Sequence, residues 1–201
     1  MAGASLLMVD AHAVPDADLP HLRDWLSAGE LARCQRFVRA ERLRQFVIGR
    51  VLVRMALGRV LGVPARDVTL AEQMAGAPLL VAPVMPGAAP GFSISHSGRW
   101  VACAASADTA LGLDIETLDA TRDLAALAQQ AFDADEMRQW DALSPVQRVD
   151  GFYRIWSTKE ARFKLGRAGH SIAIGHDELS VVVCSAVPLA VPPAIELVAL
   201  E

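Results

Sequence analysis

The sequence predicts an α+β fold, and three observations carry that expectation. Apolar residues recur at helical spacing in two long segments, 31–61 and 150–165. Short apolar or alternating runs lie around them at 5–9, 92–95, 100–106, 111–115 and 179–184, the lengths of strands. A faint internal echo links ALGRVLG at 56–62 with KLGRAG at 164–169, each a helix end that precedes a strand.

Taken in order, SLLMV at 5–9 is a first strand, and 19–31 is a helix with Asp16 or Asp18 near its start. Between 31 and 61, Phe37, Phe46, Val47, Val51, Met55 and Leu57 space one or two helices, which Gly62 and Pro64 end. Residues 66–73 read as a short strand. The segment 75–91, rich in Gly, Pro and Ala, reads as a loop with a brief strand at 79–81. Strands at 92–95 and 100–106 are joined by a turn at His96–Gly98, and 111–115 is a further strand. Residues 122–140 are helical, and Pro145 starts or precedes the next helix. Over 150–165, Phe152, Ile155, Trp156 and Phe163 share one face, and Gly166 and Gly169 close the helix. Strands at 179–184 and 195–199 complete the chain. The boundary between two halves, 1–107 and 108–201, falls near Asp108.

Of the 201 residues 53% are hydrophobic and 21% charged, enough for a packed core and too apolar for a disordered chain. A net charge of -4 gives no global attraction to nucleic acid or to anionic membrane. Cys34, Cys103 and Cys184 are odd in number and widely spaced, which supports neither a disulfide framework nor a zinc site and fits a reducing cytoplasm. The first residues lack a basic segment, and Asp10 interrupts their apolar run, so no signal peptide is expected. The apolar stretch 181–200 contains Pro188, Pro192, Pro193 and Glu196, which argue against a spanning helix.

Chemistry concentrates in three phrases. In LGLDIE, Asp114 and Glu116 are two apart at the end of a strand, so both point to one face while Ile115 turns to the core. Two readings stand: solvated residues at a strand end, or a carboxylate pair whose repulsion a cation relieves. Oxygen ligands of this kind suit Mg²⁺. In WSTKEARFK, Glu160 and Lys164 are four apart and neighbour each other. They are either a surface ion pair or, at the edge of the apolar face, a third metal ligand with a phosphate-contacting lysine; Lys159 points elsewhere. In FSISHSGRW, adjacent Ser95 and His96 face opposite ways, which disfavours a serine hydrolase and leaves a phosphate-binding turn or a plain turn. Arg33, Arg36 and Arg39, followed by Arg42, Arg44 and Arg50, give one helical region a positive face for solvent, an anionic ligand or an acidic partner.

These phrases, in the order SHS-G-x-W, G-x-D-I-E and W-S-x-K-E-x-x-x-K, resemble the motifs of Sfp-type 4′-phosphopantetheinyl transferases. CQRFVRAERLRQFVIGRVLVR at 34–54 is similar to that family's N-terminal helical segment, and the resemblance runs from about Cys34 to Val183. It implies two similar α/β halves related by a pseudo-twofold, with coenzyme A in the cleft between them. It implies transfer of phosphopantetheine to a serine of an apo acyl or peptidyl carrier protein, with 3′,5′-ADP leaving. Asp114, Glu116 and Glu160 would hold Mg²⁺, and Glu160 would accept the serine proton. Lys164 would contact the pyrophosphate. Coenzyme A would meet Arg33, Arg44, Gly76, Pro78, Ser95 and His96, with Ser95 and His96 on its 3′-phosphate. The implied protein is a cytoplasmic monomer without nucleic-acid or membrane partners.

Two departures bear on affinity. Gly76-Ala77-Pro78 stands where many relatives have G-K-P, and Ser93 where they often have Asn. The chain also reads as short at its C-terminal end. These features motivate an alternative, a transferase-like module that binds coenzyme A or a carrier with weak or no turnover.

Overall fold

The structure, a computed structural model, describes residues 1–73, 76–84 and 89–200. Its elements are β1 (Ser5–Asp10), α1 (Leu19–Arg23), α2 (Ala28–Cys34), α3 (Ala40–Leu61), β2 (Thr69–Ala71), β3 (Leu79–Ala82), β4 (Gly91–Ser97), β5 (Trp100–Ser106) and β6 (Leu111–Thr117). Then follow α4 (Leu124–Ala131), α5 (Ala134–Asp141), α6 (Arg148–Leu165), β7 (His170–Ile174), β8 (Leu179–Ser185) and β9 (Ile195–Leu197). The mixed helix and sheet content is that of an α+β protein. Ala75 and residues 85–88 of the expected 75–91 loop, with Met74 before it, lie outside the described residues.

Two larger sheets each carry one long helix. The first has the order β4-β5-β1-β9, and α3 packs on it through Val47, Val51 and Leu52 against Leu7, Val101 and Cys103. The second has the order β6-β8-β7 and carries α6, whose Ala161 and Leu165 meet Val182 and Cys184. The remaining β2 and β3 form a small ribbon. β9 pairs in parallel with β1, so residues 195–197 return to the sheet built by the start of the chain.

Several local features differ from expectation for physical reasons. The helix expected over 19–31 is two helices, because Ser27 starts α2 afresh with a capping box: its hydroxyl faces the Glu30 N–H, and Glu30 accepts from the Ser27 N–H at 2.7 Å. The turn expected at His96–Gly98 is tighter, with β4 continuing through Ser97 and a two-residue Gly98-Arg99 connection in which Gly98 has φ 53°. The strand β7 was not expected; its HSIAI is short and half-polar, and it exists as the hairpin partner of β8.

Phe163 does not share a buried face with Phe152, Ile155 and Trp156. It is 80% exposed. The partners of α6 change along its length: α4 and α5 cover Phe152, Ile155 and Trp156, but at Phe163 that cover has ended. There the buried line is Ser157, Ala161 and Leu165.

Gly112 sets how closely α6 approaches β6. A Cβ added there would stand 1.9 Å from the Ala161 carbonyl oxygen and 2.8 Å from the Leu165 nitrogen, both rigid helix backbone. Gly112→Ala is therefore expected to push α6 off the sheet, costing at least the ~1–3 kcal/mol of ordinary overpacking. Thermal unfolding measures this; an unchanged melting temperature would show that the helix accommodates the methyl group.

The arginine-bearing region is not simply a solvated face. Glu30 is fully buried and meets Arg54 at 2.6 Å and Arg50 at 3.2 Å, while Arg50 also binds Glu72 at 2.6 Å and Arg33 binds Glu72 at 2.5 Å. Burial alone would raise the Glu72 carboxyl; the Arg33 and Arg50 bonds outweigh it and hold its pKa below the ordinary 4.5. Because the folded value lies below the unfolded one, this contact stabilises the protein above the ordinary value and is lost as pH falls through the lowered one. Melting temperatures recorded across that acid range should fall, and more gently in Glu72→Gln; parallel curves for the two proteins would contradict the assignment.

Candidate active site

The site forms where β4 meets β6. The two strands run side by side in the same direction without a backbone ladder. Instead Ser93, Ser95 and Ser97, alternate residues of β4, accept from the backbone N–H groups of Leu113, Ile115 and Thr117 at 2.9, 3.3 and 3.0 Å. Period-two geometry puts all three hydroxyls on the same side of β4. It likewise turns Asp114 and Glu116 together, while Leu113 and Ile115 enter the core.

Asp114 is buried. Its Oδ1 accepts from Lys164 Nζ at 2.8 Å and from Ser95 Oγ at 3.1 Å, whereas Oδ2 is buried without a hydrogen-bond partner among the described residues. Lys164 also donates to Ser95 Oγ at 3.0 Å and to the Leu113 carbonyl at 2.9 Å. Glu116 Oε2 accepts from Ser97 Oγ at 2.9 Å. Burial pushes the Glu116 carboxyl above the usual carboxylate range; the Ser97 hydrogen bond opposes that, and the Asp114 charge adds to it.

A cavity of about 600 Å³ joins Asp114, Glu116, Lys164, Ser95, His96 and Arg42. It continues, past Arg42, His96 and Lys164, into one of about 690 Å³ with Arg33, Phe37, Phe46, Gly76, Pro78 and the exposed Phe163 in its walls. One end is acidic with a lysine, the middle basic, and the far end aromatic. The Arg42 guanidinium lies 3.1 Å from both ring nitrogens of His96 and 3.3 Å from Gln45 Oε1, and Gln45 in turn donates to the Gly98 carbonyl at 2.8 Å. Burial in the cavity wall, followed by the Arg42 charge, lowers the His96 pKa, so at neutral pH the ring is uncharged.

The structure thus brings Asp114, Glu116, Lys164, Ser95 and His96 to one cavity, and Arg33, Gly76 and Pro78 to its continuation. Of the other two expected residues, Arg44 lies elsewhere and Glu160 stands on the helix that carries Lys164. Arg44 is turned away: it donates to the carbonyls of Ala11 and Val14, pairs with Asp16 and lines a separate cavity of about 530 Å³. Glu160 is half-buried on α6 one turn before Lys164, and among the described residues no group of three His, Cys, Asp or Glu side chains converges as a metal cage. Three further residues stand in the first cavity without having been assigned to it: Arg42, named only with the positive face, Gln45 and Ser97. Arg42 and Gln45, one turn apart on α3, carried a weak signal in their spacing from Arg39; Ser97 carried one in its alternation with Ser93 and Ser95.

Two family models cover nearly all of this architecture. One described as 4′-phosphopantetheinyl transferase, N-terminal, matches residues 15–108, and one described as the 4′-phosphopantetheinyl transferase superfamily matches residues 110–191. AcpT of Salmonella typhimurium, a 4′-phosphopantetheinyl transferase, is 30% identical over 185 residues, spanning 84% of this chain and 91% of the relative. The chain belongs to the 4′-phosphopantetheinyl transferase family. Longer transferases match as well. One from Bacillus subtilis is 33% identical over 157 residues, 78% of this chain and 66% of its own length. HetI of Nostoc is 35% identical over 150 residues, 75% of this chain and 63% of its own. The chain therefore spans a little under two thirds of these two transferases.

Proposed function

We propose that the protein transfers 4′-phosphopantetheine from coenzyme A to a serine of an apo acyl or peptidyl carrier protein, using Mg²⁺. The observation that carries this reading is the convergence of Asp114 and Glu116 with Lys164 on a cavity whose next wall is Arg42 and His96. Family membership and the transferases it resembles support it.

Mg²⁺ fits the donor chemistry present. Asp114 Oδ2 is a buried acceptor lacking a partner, and Glu116 is a carboxylate made costly to ionise by burial and by its neighbour. One or two carboxylates completed by waters and substrate phosphates is the usual Mg²⁺ arrangement, so a three-carboxylate cage is not required. When bound, the ion would neutralise charge on the pyrophosphate. Glu160 remains a candidate third ligand on this reading.

The protein's own groups account for the rest. The serine oxygen forms a bond to the β-phosphorus as the bond to the bridging oxygen breaks, and 3′,5′-ADP departs. Glu160, directly or through a water, takes the serine proton. Lys164, whose three N–H groups go to Asp114, Ser95 and the Leu113 carbonyl, sets its positive charge beside the pyrophosphate. Arg42 donates to the 3′-phosphate beside His96. Arg33, Gly76, Pro78 and the aromatic walls receive the nucleotide. Such transfer rests on positioning and charge neutralisation, with little covalent work for the protein. The halves 1–107 and 108–201 flank this cleft in the proposal. The protein would act as a cytoplasmic monomer without nucleic-acid or membrane partners; among the described residues no helix is long and apolar enough to cross a membrane.

The test mixes purified protein, coenzyme A, Mg²⁺ and several apo carriers and weighs the carriers by mass spectrometry. A phosphopantetheine mass gain that disappears with chelator is expected. Coenzyme A binding without mass gain on any carrier would favour the non-catalytic binding module.

A further inference from the structure

The three serines of β4 bind β6 in the same way but end differently. A hydroxyl has one proton and two lone pairs. At each serine one lone pair takes a β6 backbone N–H. At Ser95 the second lone pair takes Lys164 and the proton goes to Asp114 Oδ1, so the group is saturated. At Ser97 the proton goes to Glu116 Oε2. At Ser93 the next even-numbered residue back along β6 from Asp114 is Gly112, which has no side chain to receive a proton.

We propose that Ser95 and Ser97 are positioning residues for the acidic site: each is pinned to the β6 backbone and spends its proton fixing one oxygen of Asp114 or Glu116. The proposal rests on the reading of that pair as metal-holding. A carboxylate on a strand end rotates about its last torsion, χ2 in Asp114 and χ3 in Glu116, and offers either oxygen. A hydrogen bond from a hydroxyl anchored on the neighbouring strand removes that freedom and reserves Oδ1 of Asp114, leaving Oδ2 as the acceptor without a protein partner. It also couples the site to the seam: the hydroxyls that accept from β6 are the hydroxyls that orient the carboxylates. Ser95 consequently has no proton left to offer the 3′-phosphate expected beside His96. Partners of this kind, one bond removed from an ion, typically change metal affinity or activity by about 10–100-fold when lost.

The experiment uses the full chain and Mn²⁺ as probe, read by electron paramagnetic resonance, beside melting temperature and the Mg²⁺ and coenzyme A dependence of transfer. Ser97→Ala should weaken Mn²⁺ binding by about 10–100-fold. It should raise the Mg²⁺ concentration for half-maximal transfer and leave KM for coenzyme A unchanged. Ser97→Thr, which keeps the hydroxyl, should restore Mn²⁺ binding. Ser93→Ala loses the same kind of seam bond without touching a carboxylate; it should lower the melting temperature and leave Mn²⁺ affinity unchanged. Should Ser97→Ala not fold, Ser97→Cys, a weaker donor, gives the same readout. Equal Mn²⁺ affinity in Ser97→Ala and the unchanged protein would overturn the proposal, as would an equal loss in Ser93→Ala. If the unchanged protein transfers and binds Mn²⁺ while the Ser97 variants match it, only the positioning role fails. If the unchanged protein takes up no Mn²⁺, the metal reading fails and this inference falls with it.

Discussion

Asp114→Asn is expected to abolish phosphopantetheine transfer while leaving the protein folded. The substitution keeps the shape of the side chain and an oxygen for Lys164 and Ser95. It removes the negative charge that holds Lys164 at 2.8 Å and replaces a buried, partnerless acceptor with a group that donates. A lost partner one bond removed from a metal already costs up to about 100-fold, and here the proposed ligand itself is lost, so the fall should be at least that large. Carrier mass gain over time measures it, with circular dichroism to confirm folding. Transfer within a few-fold of the unchanged protein would remove Asp114 from the reacting centre.

The largest effect on stability is expected at Glu30. This carboxylate does three things at once. It caps α2 through the Ser27 N–H, pairs with Arg54 and shares Arg50 with Glu72, in a place with no exposed surface. Glu30→Ala leaves two buried guanidiniums facing a void. Breaking a buried pair from one side costs about 3–5 kcal/mol, because the surviving charge remains desolvated. At roughly 2–4 °C per kcal/mol for a protein of this size, the melting temperature should drop on the order of 10 °C. Arg59→Ala is the informative contrast, since its ion pair with Glu196 is exposed on both sides and screened by solvent, so its loss should barely move the melting temperature. Equal shifts for the two variants would mean that the buried network contributes no more than a surface pair.

Strong local patterns carried most of the fold. The period of Val47, Val51 and Leu57 announces α3, and Gly62 ends it with φ 68°. Alternation announces β4, β5 and β6. Less legible features depended on partners. β7 needs β8 beside it. The break between α1 and α2 depends on Ser27 and Glu30 finding one another. Phe163 looked buried because a helical wheel assumes one environment along the whole helix, whereas α6 exchanges helical cover for an open cavity.

The site divides along similar lines. Asp114 with Glu116, and Lys164, stood out because a like-charge pair and a lysine beside apolar stretches are locally anomalous. Arg44 and Arg42 could not be told apart by charge or spacing, since two residues along a helix point about 200° apart and only the neighbouring loop settles which one meets His96. That loop captures Arg44 through the Ala11 and Val14 carbonyls, leaving Arg42 for the cavity.

What the chain determined by itself was the set of periodic elements and the two motifs that hold the charged groups, because side-chain direction within a helix or strand follows from backbone geometry alone. What only the tertiary structure decided was the company those groups keep. Asp114 meets Lys164 across fifty residues, and Ser95 and Ser97 meet carboxylates on another strand. Glu30 became the hub of a buried ion network. Burial and hydrogen-bond saturation are properties of packed surfaces, and a linear pattern holds no record of which surfaces will be pressed together.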